Sequence, residues 1–450
     1  MASPRDAARV LVIGKDARTD ALVTGLTESL HKPLLYGISE FRAPGMLEKC
    51  EKLYSNVSLV DVDEIARIAA DVRPDLVVIG PEEPLAAGVV DRIEADLDVP
   101  CFGPRRELAM IEASKTWTRQ LLTKYHIAGN PDYRVFRSRD GLAEYAKSLG
   151  NFVVKPDGLT GGKGVKLWPE HFNTVESALH YAHQLLEDDG VVLIEEALEG
   201  EEFSLQSLCD GSVVVHTPLI QDHKRAEVGD TGPNTGGMGS YSCADFSLPF
   251  LSDEELVAAR QINERVAAAL KAETGQPYRG VLYGGFIATR NGVRLIEYNC
   301  RFGDPEAMNV MPLLESDLLD LCWDVAIGQL NPAAVSFRQK AVVCKYVVPA
   351  GYPTKKEAGG KVILDEMHID PEHARYYWAA VERIGADIVL TGSRAIACVG
   401  IGDSVADAEA YAAKLIETVQ GPVRHRADIG TEEVLARRVE HMQRIRASQS

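Results

Sequence analysis

The stretch that decides the fold reads Glu297-Tyr298-Asn299-Cys300-Arg301-Phe302-Gly303-Asp304-Pro305-Glu306. It follows a turn signal at Asn291-Gly292, which predicts a hairpin whose second strand carries Glu297 and Asn299. Residues two apart on a strand point to one face, so a carboxylate and an amide oxygen lie together, with the Arg301 guanidinium beside them. Oxygen ligands suit Mg²⁺ at nucleotide phosphates, and arginine suits phosphate or carboxylate groups. The stretch therefore predicts a metal and phosphate site.

A second stretch predicts phosphate binding by the backbone. A short strand at residues 152–154 leads into Lys155-Pro156-Asp157-Gly158 and then Gly161-Gly162-Lys163-Gly164. Glycine lets backbone N–H groups approach phosphate oxygens closely, and Lys155 adds a positive charge. The order of residues in a Walker motif is missing, and a simple glycine turn is the alternative interpretation.

The first hundred residues alternate between strand and helix patterns. Apolar runs at residues 10–13 and 76–79 end at Gly14 and Gly80, and residues 61–71 have helical spacing of apolar side chains. This alternation indicates a parallel sheet with ligands at the carboxyl ends of its strands.

Later segments have a different pattern, typical of an α+β protein. Asp210-Gly211 indicates a further hairpin, and Ser252 with Glu255 forms a capping-box pattern for a helix through Lys271. Beyond residue 330 we expect strands at residues 340–348 and 395–399 and an amphipathic helix at residues 405–419. We expect the charged tail at residues 431–450 to be a solvated helix rather than a functional arm.

Composition narrows the class of protein. The net charge of −18 argues against a general nucleic-acid binder, although local basic clusters can still hold anionic substrates. No apolar run approaches membrane-spanning length, and the first residues lack the apolar core of a signal peptide, so we expect a cytoplasmic protein. The eight cysteines are scattered and form no C-x-x-C pair, which favours reduced thiols and a metal held by oxygen atoms.

Several blocks in the sequence are similar to the signatures of the phosphoribosylamine–glycine ligase family, and the resemblance covers nearly the whole chain in family order. The form R-F-G-D-P-E-A-M-N at residues 301–309 resembles archaeal members. The other blocks are G-P-E-E-P-L at residues 80–85, Ser114-Lys115, E-G-E-E-F-S at residues 199–204, Q-D-H-K-R at residues 221–225, G-P-N-T-G-G-M-G at residues 232–239, and R-H-R-x-D-I-G at residues 424–430.

This resemblance implies a multidomain α/β and α+β fold. We expect an N-terminal Rossmann-like domain with a parallel sheet at residues 1–112 and an ATP-grasp region at residues 113–330. Within that region a lid subdomain would span about residues 125–194, and residues 155–166 would form part of the lid. A small α+β domain would follow at residues 331–450.

The resemblance also implies the site residues. Lys115, Lys155 and the loop Gly161, Gly162, Lys163 and Gly164 would contact ATP phosphates; Glu195, Glu196 and Leu198 would meet the adenine edge, and Glu202 the ribose. Glu297 and Asn299 would hold the metal. Residues expected at the glycine and phosphoribosylamine site are Arg18, Gly80, Pro81, Glu82, Asp222, Lys224, Asn234, Gly236, Arg301, Gly303 and Asp304, with Lys155, Arg301 and Asp222 expected to be catalytic.

Structural alternatives exist for some of these residues. Lys224 and Arg225 could be solvated loop charges, Asp304-Pro305 could be only a turn, and Glu82 could be a helix-start carboxylate.

The implied reaction joins glycine to 5-phosphoribosylamine through glycyl phosphate, with ATP as co-substrate and Mg²⁺ or Mn²⁺ as cofactor. We expect small-molecule substrates, no nucleic-acid or membrane partner, and a monomer or homodimer. The alternatives are an ATP-grasp ligase with a different amine acceptor and a non-catalytic homologue. A nicotinamide dehydrogenase is disfavoured because no G-x-G-x-x-G pattern follows the first strand.

The sequence departs from the family pattern after its first strand. Family members usually carry Gly-x-Gly-Gly-Arg-Glu-His-Ala there, whereas this chain reads Gly14-Lys15-Asp16-Ala17-Arg18-Thr19-Asp20-Ala21. Losing two glycines restricts backbone approach to a phosphate, so Arg18 becomes the expected charged contact with phosphoribosylamine in this loop. Asp16 could instead cap the following helix.

Overall fold

The computed structural model describes residues 5–159 and 164–447, except the side chain of His368. The chain begins with alternating strands and helices: β1 (Arg9–Ile13), α1 (Ala17–Thr27), β2 (Leu34–Ile38), α2 (Pro44–Lys49), β3 (Lys52–Tyr54), α3 (Val62–Val72), β4 (Leu76–Ile79), α4 (Glu82–Ala87), α5 (Val89–Leu97), β5 (Cys101–Phe102) and α6 (Arg106–Ala113). The strands form a parallel sheet in the order β3-β2-β1-β4-β5.

This sheet is buried on both faces because β1 and β4 are almost wholly apolar. The strand order reverses between β1 and β4, so the turns after Ile13 and Ile79 lie side by side, and the Gly80 amide donates to the Ile13 carbonyl at 2.9 Å. Such a switch point brings the loop 14–16 and the start of α4 to one edge of the parallel sheet that the sequence predicted.

A smaller layer follows: α7 (Lys115–Lys124), β6 (Tyr133–Phe136), α8 (Leu142–Leu149), β7 (Phe152–Pro156), β8 (Lys166–Trp168), α9 (Val175–Asp189) and β9 (Val192–Glu196). Its four strands are antiparallel in the order β6-β9-β7-β8. Phe136, Phe152, Leu142 and Leu179 belong to a separate apolar core under α8 and α9, so the layer is stabilised largely by its own packing.

The next segment is rich in hairpins: β10 (Gly200–Asp210), β11 (Val214–His216), β12 (Gln221–Asp222), β13 (Arg225–Glu227), β14 (Thr231–Asn234), β15 (Gly239–Ser242), α10 (Asp253–Thr274), β16 (Arg279–Thr289), β17 (Gly292–Asn299), α11 (Ala307–Leu313) and α12 (Leu318–Ile327). Both predicted hairpins are present, β10 with β11 and β16 with β17, in a sheet of order β11-β10-β16-β17. The Ser252–Glu255 capping box starts α10 as predicted.

The remaining elements are β18 (Ala341–Pro349), β19 (Lys361–Leu364), β20 (Ala374–Trp378), β21 (Val381–Ile384), β22 (Asp387–Leu390), β23 (Ile396–Gly402), α13 (Val405–Ile416), β24 (Val419–Gln420), β25 (Val423–His425) and α14 (Glu432–Ala447), with short 3-10 helices at Pro332–Ala334 and Glu366–His368. β18 and β23 lie in a sheet of order β12-β15-β18-β23-β20, where β25 also pairs with β18.

Two expectations for this C-terminal segment need correction. The helix predicted at residues 405–419 ends at Ile416, because Val419 turns into β24 and pairs with Leu364. The tail is not a freely solvated helix: α14 packs against β10 and β16 and buries Met442 and Ile445. Across residues 5–159 and 164–447, no helix combines the length and apolarity needed to cross a membrane.

Candidate active site

A cavity of about 490 Å³ opens between the β10–β16–β17 sheet and the smaller β7–β9 layer. It gathers residues from segments that are far apart in the sequence. The predicted site residues that line it are Glu82, Lys115, Lys155, Glu195, Glu196, Leu198, Glu202, Asp222, Lys224, Asn234, Gly236, Glu297, Asn299, Arg301 and Asp304.

Lys155 sits at one wall of this cavity in a buried ion pair. Its Nζ lies 2.6 Å from Glu195 Oε2, and Arg119 binds the same carboxylate at 2.6 and 3.0 Å. Burial would raise the pKa of Glu195, but Arg119 and Lys155 lower it to about 2. Burial lowers the pKa of Lys155 despite this partner. The shared carboxylate therefore orients a lysine that keeps one side toward the cavity.

Lys115 is fixed by the start of α7. Ser114 caps that helix, and the Asp157 carboxylate accepts hydrogen bonds from Ser114 Oγ at 2.9 Å and from the Thr116 amide at 3.0 Å. Lys115 Nζ donates to the Gly158 carbonyl at 2.8 Å. These bonds tie the segment after β7 to α7, so both lysines approach the cavity from a defined direction.

Glu297 and Asn299 stand two residues apart on β17 and both line the cavity, as strand alternation predicts. Burial would raise the pKa of Glu297, but the positive charges of Lys224, Lys115 and Lys155 lower it, so the carboxylate is ionised. With its amide nitrogen turned to Glu112 Oε1, at 3.1 Å, Asn299 directs its oxygen away from that acceptor. An ionised carboxylate and an amide oxygen form a donor pair suited to a hard cation.

Arg301 is held between two carboxylates from the N-terminal region. Its Nε lies 2.9 Å from Glu82 Oε2 and its Nη2 lies 2.8 Å from Glu112 Oε1. Burial raises the pKa of Glu112 to about 7, even though Arg301 favours its ionised form. The two partners fix the guanidinium at the edge where α4 and α6 meet the end of β17.

The turn after Arg301 leaves no room for a side chain at Gly303 while Glu306 keeps its position. A Cβ on Gly303 would lie 2.2 Å from Glu306 Oε2, and the Gly303 amide donates to Gln206 Oε1 at 2.7 Å. Glu306 in turn accepts a hydrogen bond from Tyr283 at 2.8 Å. The glycine in the R-F-G-D-P-E stretch thus lets Glu306 fold back beneath the turn.

The far end of the cavity combines acidic and basic groups. Burial and the charge of Glu306 raise the pKa of Asp222, whose Oδ1 finds no hydrogen-bond partner within residues 5–159 and 164–447. Lys224 Nζ lies 3.0 Å from Glu202 Oε2. Gly237, at a φ of +107°, lies so close to Asp222 that a Cβ would approach Oδ1 to 2.6 Å. The close approach of Gly237 thus keeps this oxygen buried at the far end of the cavity.

Arg394, from the C-terminal sheet region, joins two of these segments. Its Nη1 donates to the carbonyls of Gly236 at 2.8 Å and Asp304 at 3.0 Å, and lies 3.2 Å from Asp304 Oδ1. The guanidinium also stacks over the Tyr346 ring. One half-buried arginine thus holds the 236–237 turn against the turn that follows Arg301.

Three family models match consecutive parts of the chain. The phosphoribosylglycinamide synthetase N domain matches residues 8–112, its ATP-grasp (A) domain matches residues 113–307, and its C domain matches residues 342–432. The chain belongs to the phosphoribosylglycinamide synthetase family. The expected fold class is confirmed: a parallel sheet at the N-terminus, an ATP-grasp domain and a C-terminal domain.

Relatives in this family align over almost the whole chain. A phosphoribosylamine–glycine ligase from Methanopyrus kandleri is 44% identical and covers 97% of this chain and 99% of its own length. One from Methanococcoides burtonii is 42% identical, with the same coverage of both chains. Both organisms are archaeal, in agreement with the archaeal form of the R-F-G-D-P-E-A-M-N stretch.

Solved structures agree with the phosphoribosylglycinamide synthetase assignment. The crystal structure of phosphoribosylamine–glycine ligase from Thermotoga maritima matches with a TM-score of 0.77 at 26% identity, covering 93% of this chain and 99% of that one. The biotin carboxylase domain of 2-oxoglutarate carboxylase from Hydrogenobacter thermophilus has a TM-score of 0.71 at 13% identity, covering 98% and 99%, and shares the fold alone.

Some residues predicted from the synthetase signatures lie elsewhere. Arg18 is buried: it donates to the Phe302 carbonyl at 2.7 Å, pairs with Asp16 and lies 3.7 Å from Glu82. Asp16 caps α1, the alternative role considered for it. Residues absent from the cavity wall are Arg18, Gly80, Pro81, Gly164 and Gly303, while Gly161, Gly162 and Lys163 lie outside the described residues.

Sequence reasoning missed several residues at the synthetase site. Arg119 lies four residues after Lys115 on α7, a helical spacing that could have indicated it. Glu112 lies two residues before the Ser114-Lys115 block, and Arg438 lies eight residues after the block at residues 424–430. Arg394, which contacts Gly236 and Asp304 behind the cavity wall, lies outside every signature block. Their positions follow only from the way the domains pack.

Proposed function

We propose that this chain joins glycine to 5-phosphoribosylamine, converting ATP to ADP and phosphate and producing glycinamide ribonucleotide in purine biosynthesis. The observation that carries the proposal is the convergence of Lys115, Lys155, Glu297, Asn299 and Arg301 on one cavity in a member of the synthetase family. The ligase names of its close relatives in archaea agree with this activity.

The reaction needs activation of the glycine carboxylate, because a carboxylate does not condense with an amine in water. A glycine carboxylate oxygen attacks the γ-phosphorus, the bond to the β–γ bridging oxygen breaks, and ADP leaves glycyl phosphate behind. The amine of phosphoribosylamine then attacks the acyl carbon, loses a proton, and displaces phosphate. The enzyme supplies positioned charge rather than a covalent nucleophile.

The side of the cavity that carries Lys115 and Lys155 would bind ATP for the first step, the transfer of the γ-phosphoryl group to glycine. Lys115 and Lys155 would contact ATP phosphates, together with the 161–164 loop. Glu195, Glu196 and Leu198 would lie near the adenine, and Glu202 near the ribose. Negative charge on the phosphoryl oxygens is stabilised by preorganised ammonium groups, and the Glu195–Lys155 pair keeps one of them in place before ATP arrives.

The oxygen atoms that β17 presents to the cavity are suitable ligands for a divalent cation. Glu297 and Asn299 would hold Mg²⁺ or Mn²⁺, since one offers an ionised carboxylate and the other an amide oxygen. Such a cation would neutralise charge on the nucleotide phosphates during transfer. Around it, the lysines and Arg301 supply the remaining positive charge from the protein itself.

The other end of the cavity would bind the two remaining substrates. Asp222, Lys224, Asn234, Gly236 and Arg301 line this end, and Glu82 and Asp304 border it. Arg301 suits the glycine carboxylate, and Asp222, which lines the same cavity, suits an amine. The turns at Gly80, Pro81 and Gly303 would shape this end through their backbones.

The wider organisation is part of the same proposal. We keep the division into residues 1–112, 113–330 and 331–450, with a lid at about 125–194 that would exclude water from the acyl phosphate. We also propose a cytoplasmic enzyme that works as a monomer or homodimer.

The test is ADP release from purified protein supplied with ATP and Mg²⁺. Turnover should require both glycine and phosphoribosylamine generated in place, and the product should be glycinamide ribonucleotide by mass. Turnover with glycine and an unphosphorylated amine instead would favour an ATP-grasp ligase with another acceptor. No ADP release under any condition would favour a non-catalytic homologue.

A further inference from the structure

The loop at residues 224–236, which includes the β13–β14 hairpin, carries Lys224, Asn234 and Gly236 to the cavity. The residues of β14 are all exposed, and the hairpin forms a two-stranded sheet of its own. A hairpin of two strands is marginally stable in water. Contacts from outside the 224–236 loop must therefore hold it in place over the cavity.

Some of those contacts are spread along the loop: Arg424 pairs with Glu227, Asp428 accepts from the Gly229 amide, and Arg394 donates to the Gly236 carbonyl. The largest group of charges meets at Asp230, at the turn of the hairpin. Arg437 and Arg438, both on α14, each place Nη2 2.6 Å from Asp230 Oδ2. Arg426, which follows β25 and has a fully buried side chain, places Nη2 2.7 Å from Oδ1. One carboxylate thus contacts three guanidinium groups that belong to the C-terminal part of the chain.

The same face of α14 is also attached to the cavity sheet. Arg438 Nη1 lies 3.1 Å from Glu201 Oε2 on β10, and His441 Nδ1 lies 2.6 Å from Glu201 Oε1. The Glu201 side chain is 4% exposed, and Arg438 itself lines the cavity. Helix α14 is therefore fixed to the β10 strand and can hold the 224–236 loop relative to it.

We propose that Asp230 is the latch by which α14 holds the 224–236 loop over the cavity, so that this helix sets the affinity for the substrates which the loop contacts. The identity of those substrates, glycine and phosphoribosylamine, rests on the proposed function; the latch does not. Asp230 is the carboxylate that the three guanidinium groups share, whereas, of these three, Asp428 pairs with Arg426 alone and Glu201 with Arg438 alone. Loss of its charge would therefore leave these neighbouring positive charges under-compensated.

The test compares full-length wild type with Asp230→Asn, which keeps shape and removes charge. Amide hydrogen exchange at residues 225–236 should become about tenfold faster, because a partly buried ion cluster loses its common partner. Exchange in α10 should stay unchanged. The KM for glycine or phosphoribosylamine should rise about tenfold, against less than about twofold for ATP.

Arg446→Ala is the matched control. Arg446 lies on the same helix and pairs with Glu255 at 2.6 Å, at the end of α14 away from the loop. It should leave exchange at residues 225–236 as in wild type. Arg437→Ala, which removes a single, half-exposed partner, should accelerate exchange there in the same direction by a smaller factor, about threefold.

Unchanged exchange at residues 225–236 in Asp230→Asn overturns the latch, and so does acceleration spread equally over α10. If Asp230→Asn does not fold, unchanged exchange in Arg437→Ala overturns it. Faster exchange confined to the loop, with unaltered KM values for both substrates, supports the latch and instead contradicts the assignment of the loop to glycine and phosphoribosylamine.

Discussion

Lys155 Nζ lies 2.6 Å from Glu195 Oε2, and the two side chains are 8% and 3% exposed. The pair is shared with Arg119, which binds both oxygens of the same carboxylate. A flexible lysine is thereby held at the cavity wall before any nucleotide binds, which reduces the conformational entropy lost during catalysis.

Lys155→Met should lower kcat by about a hundredfold or more, because a preorganised charge at the phosphates is removed while side-chain bulk is retained. The fold should persist, since Glu195 keeps both bonds from Arg119. Steady-state kinetics and circular dichroism measure the two effects. Lys124→Met, which removes an exposed lysine paired with Glu273, is the control. A change confined to the KM for glycine would contradict this role.

Glu297→Gln should also lower turnover by about a hundredfold or more, because it removes the anionic oxygen that would bind the divalent cation. The dependence of activity on Mg²⁺ concentration should shift to higher values. Titration of Mn²⁺ into the enzyme–ADP complex, followed by electron paramagnetic resonance, gives a readout independent of turnover. Glu254→Gln, on the exposed first turn of α10, should behave as wild type. Near-normal activity with unchanged metal dependence would remove Glu297 from the site.

Arg18→Ala should raise the KM for phosphoribosylamine far more than that for ATP. Because Arg18 is buried against Asp16 and the Phe302 carbonyl, we expect the effect to act through the turn that carries Arg301. The variant should also lose about 3 kcal/mol of stability, since an ion pair is broken in the interior. Kinetics with both substrates and thermal melts measure these effects, with the exposed Arg67→Ala as control. Equal increases in both KM values would argue for a general structural role.

We expect the stability of the folded protein to fall in acid because of the buried His223 side chain. Burial lowers the pKa of His223 from 6.5 to about 4, so the unfolded chain binds a proton there that the folded protein does not. The contribution of His223 to the free energy of unfolding is therefore fully present above about pH 6.5. About 3 kcal/mol of that free energy is lost as the pH falls toward about 4, because protonation then favours the unfolded chain. His223→Gln should lose less thermal stability than wild type between about pH 7 and pH 5. An identical loss in both proteins would exclude His223 as a source of acid sensitivity.

Local sequence patterns predicted the elements that depend on neighbouring residues. The Ser252–Glu255 capping box begins α10, the Asp210-Gly211 hairpin joins β10 to β11, and the E-x-N spacing brings Glu297 and Asn299 to one cavity wall. Each follows from strand alternation, turn preference or helix capping within a few residues. The signature blocks in the sequence predicted the family and, through it, the fold class.

The borders and environments of other elements were not predictable locally. Val419 continues the apolar pattern of α13, yet it lies in β24 and pairs with Leu364 of β19. The edge of that distant strand offers Val419 backbone hydrogen bonds that the helix pattern does not predict. The charged sequence of α14 predicts a solvated helix, but Arg438 on that helix forms ion pairs with Asp230 and Glu201. Charge alone does not distinguish a solvated face from one that meets an acidic surface.

The sequence by itself thus determined the family and singled out Lys115, Lys155, Glu297, Asn299 and Arg301, which the structure brings to one cavity. Only the tertiary structure decided how they are held. Glu112 reaches the Cys300 amide across 188 positions of sequence, and Arg394 reaches Gly236 across 158. Such partners are chosen by which surfaces meet when domains pack and by the need to pair every buried charge, and neither condition leaves a local pattern in the sequence.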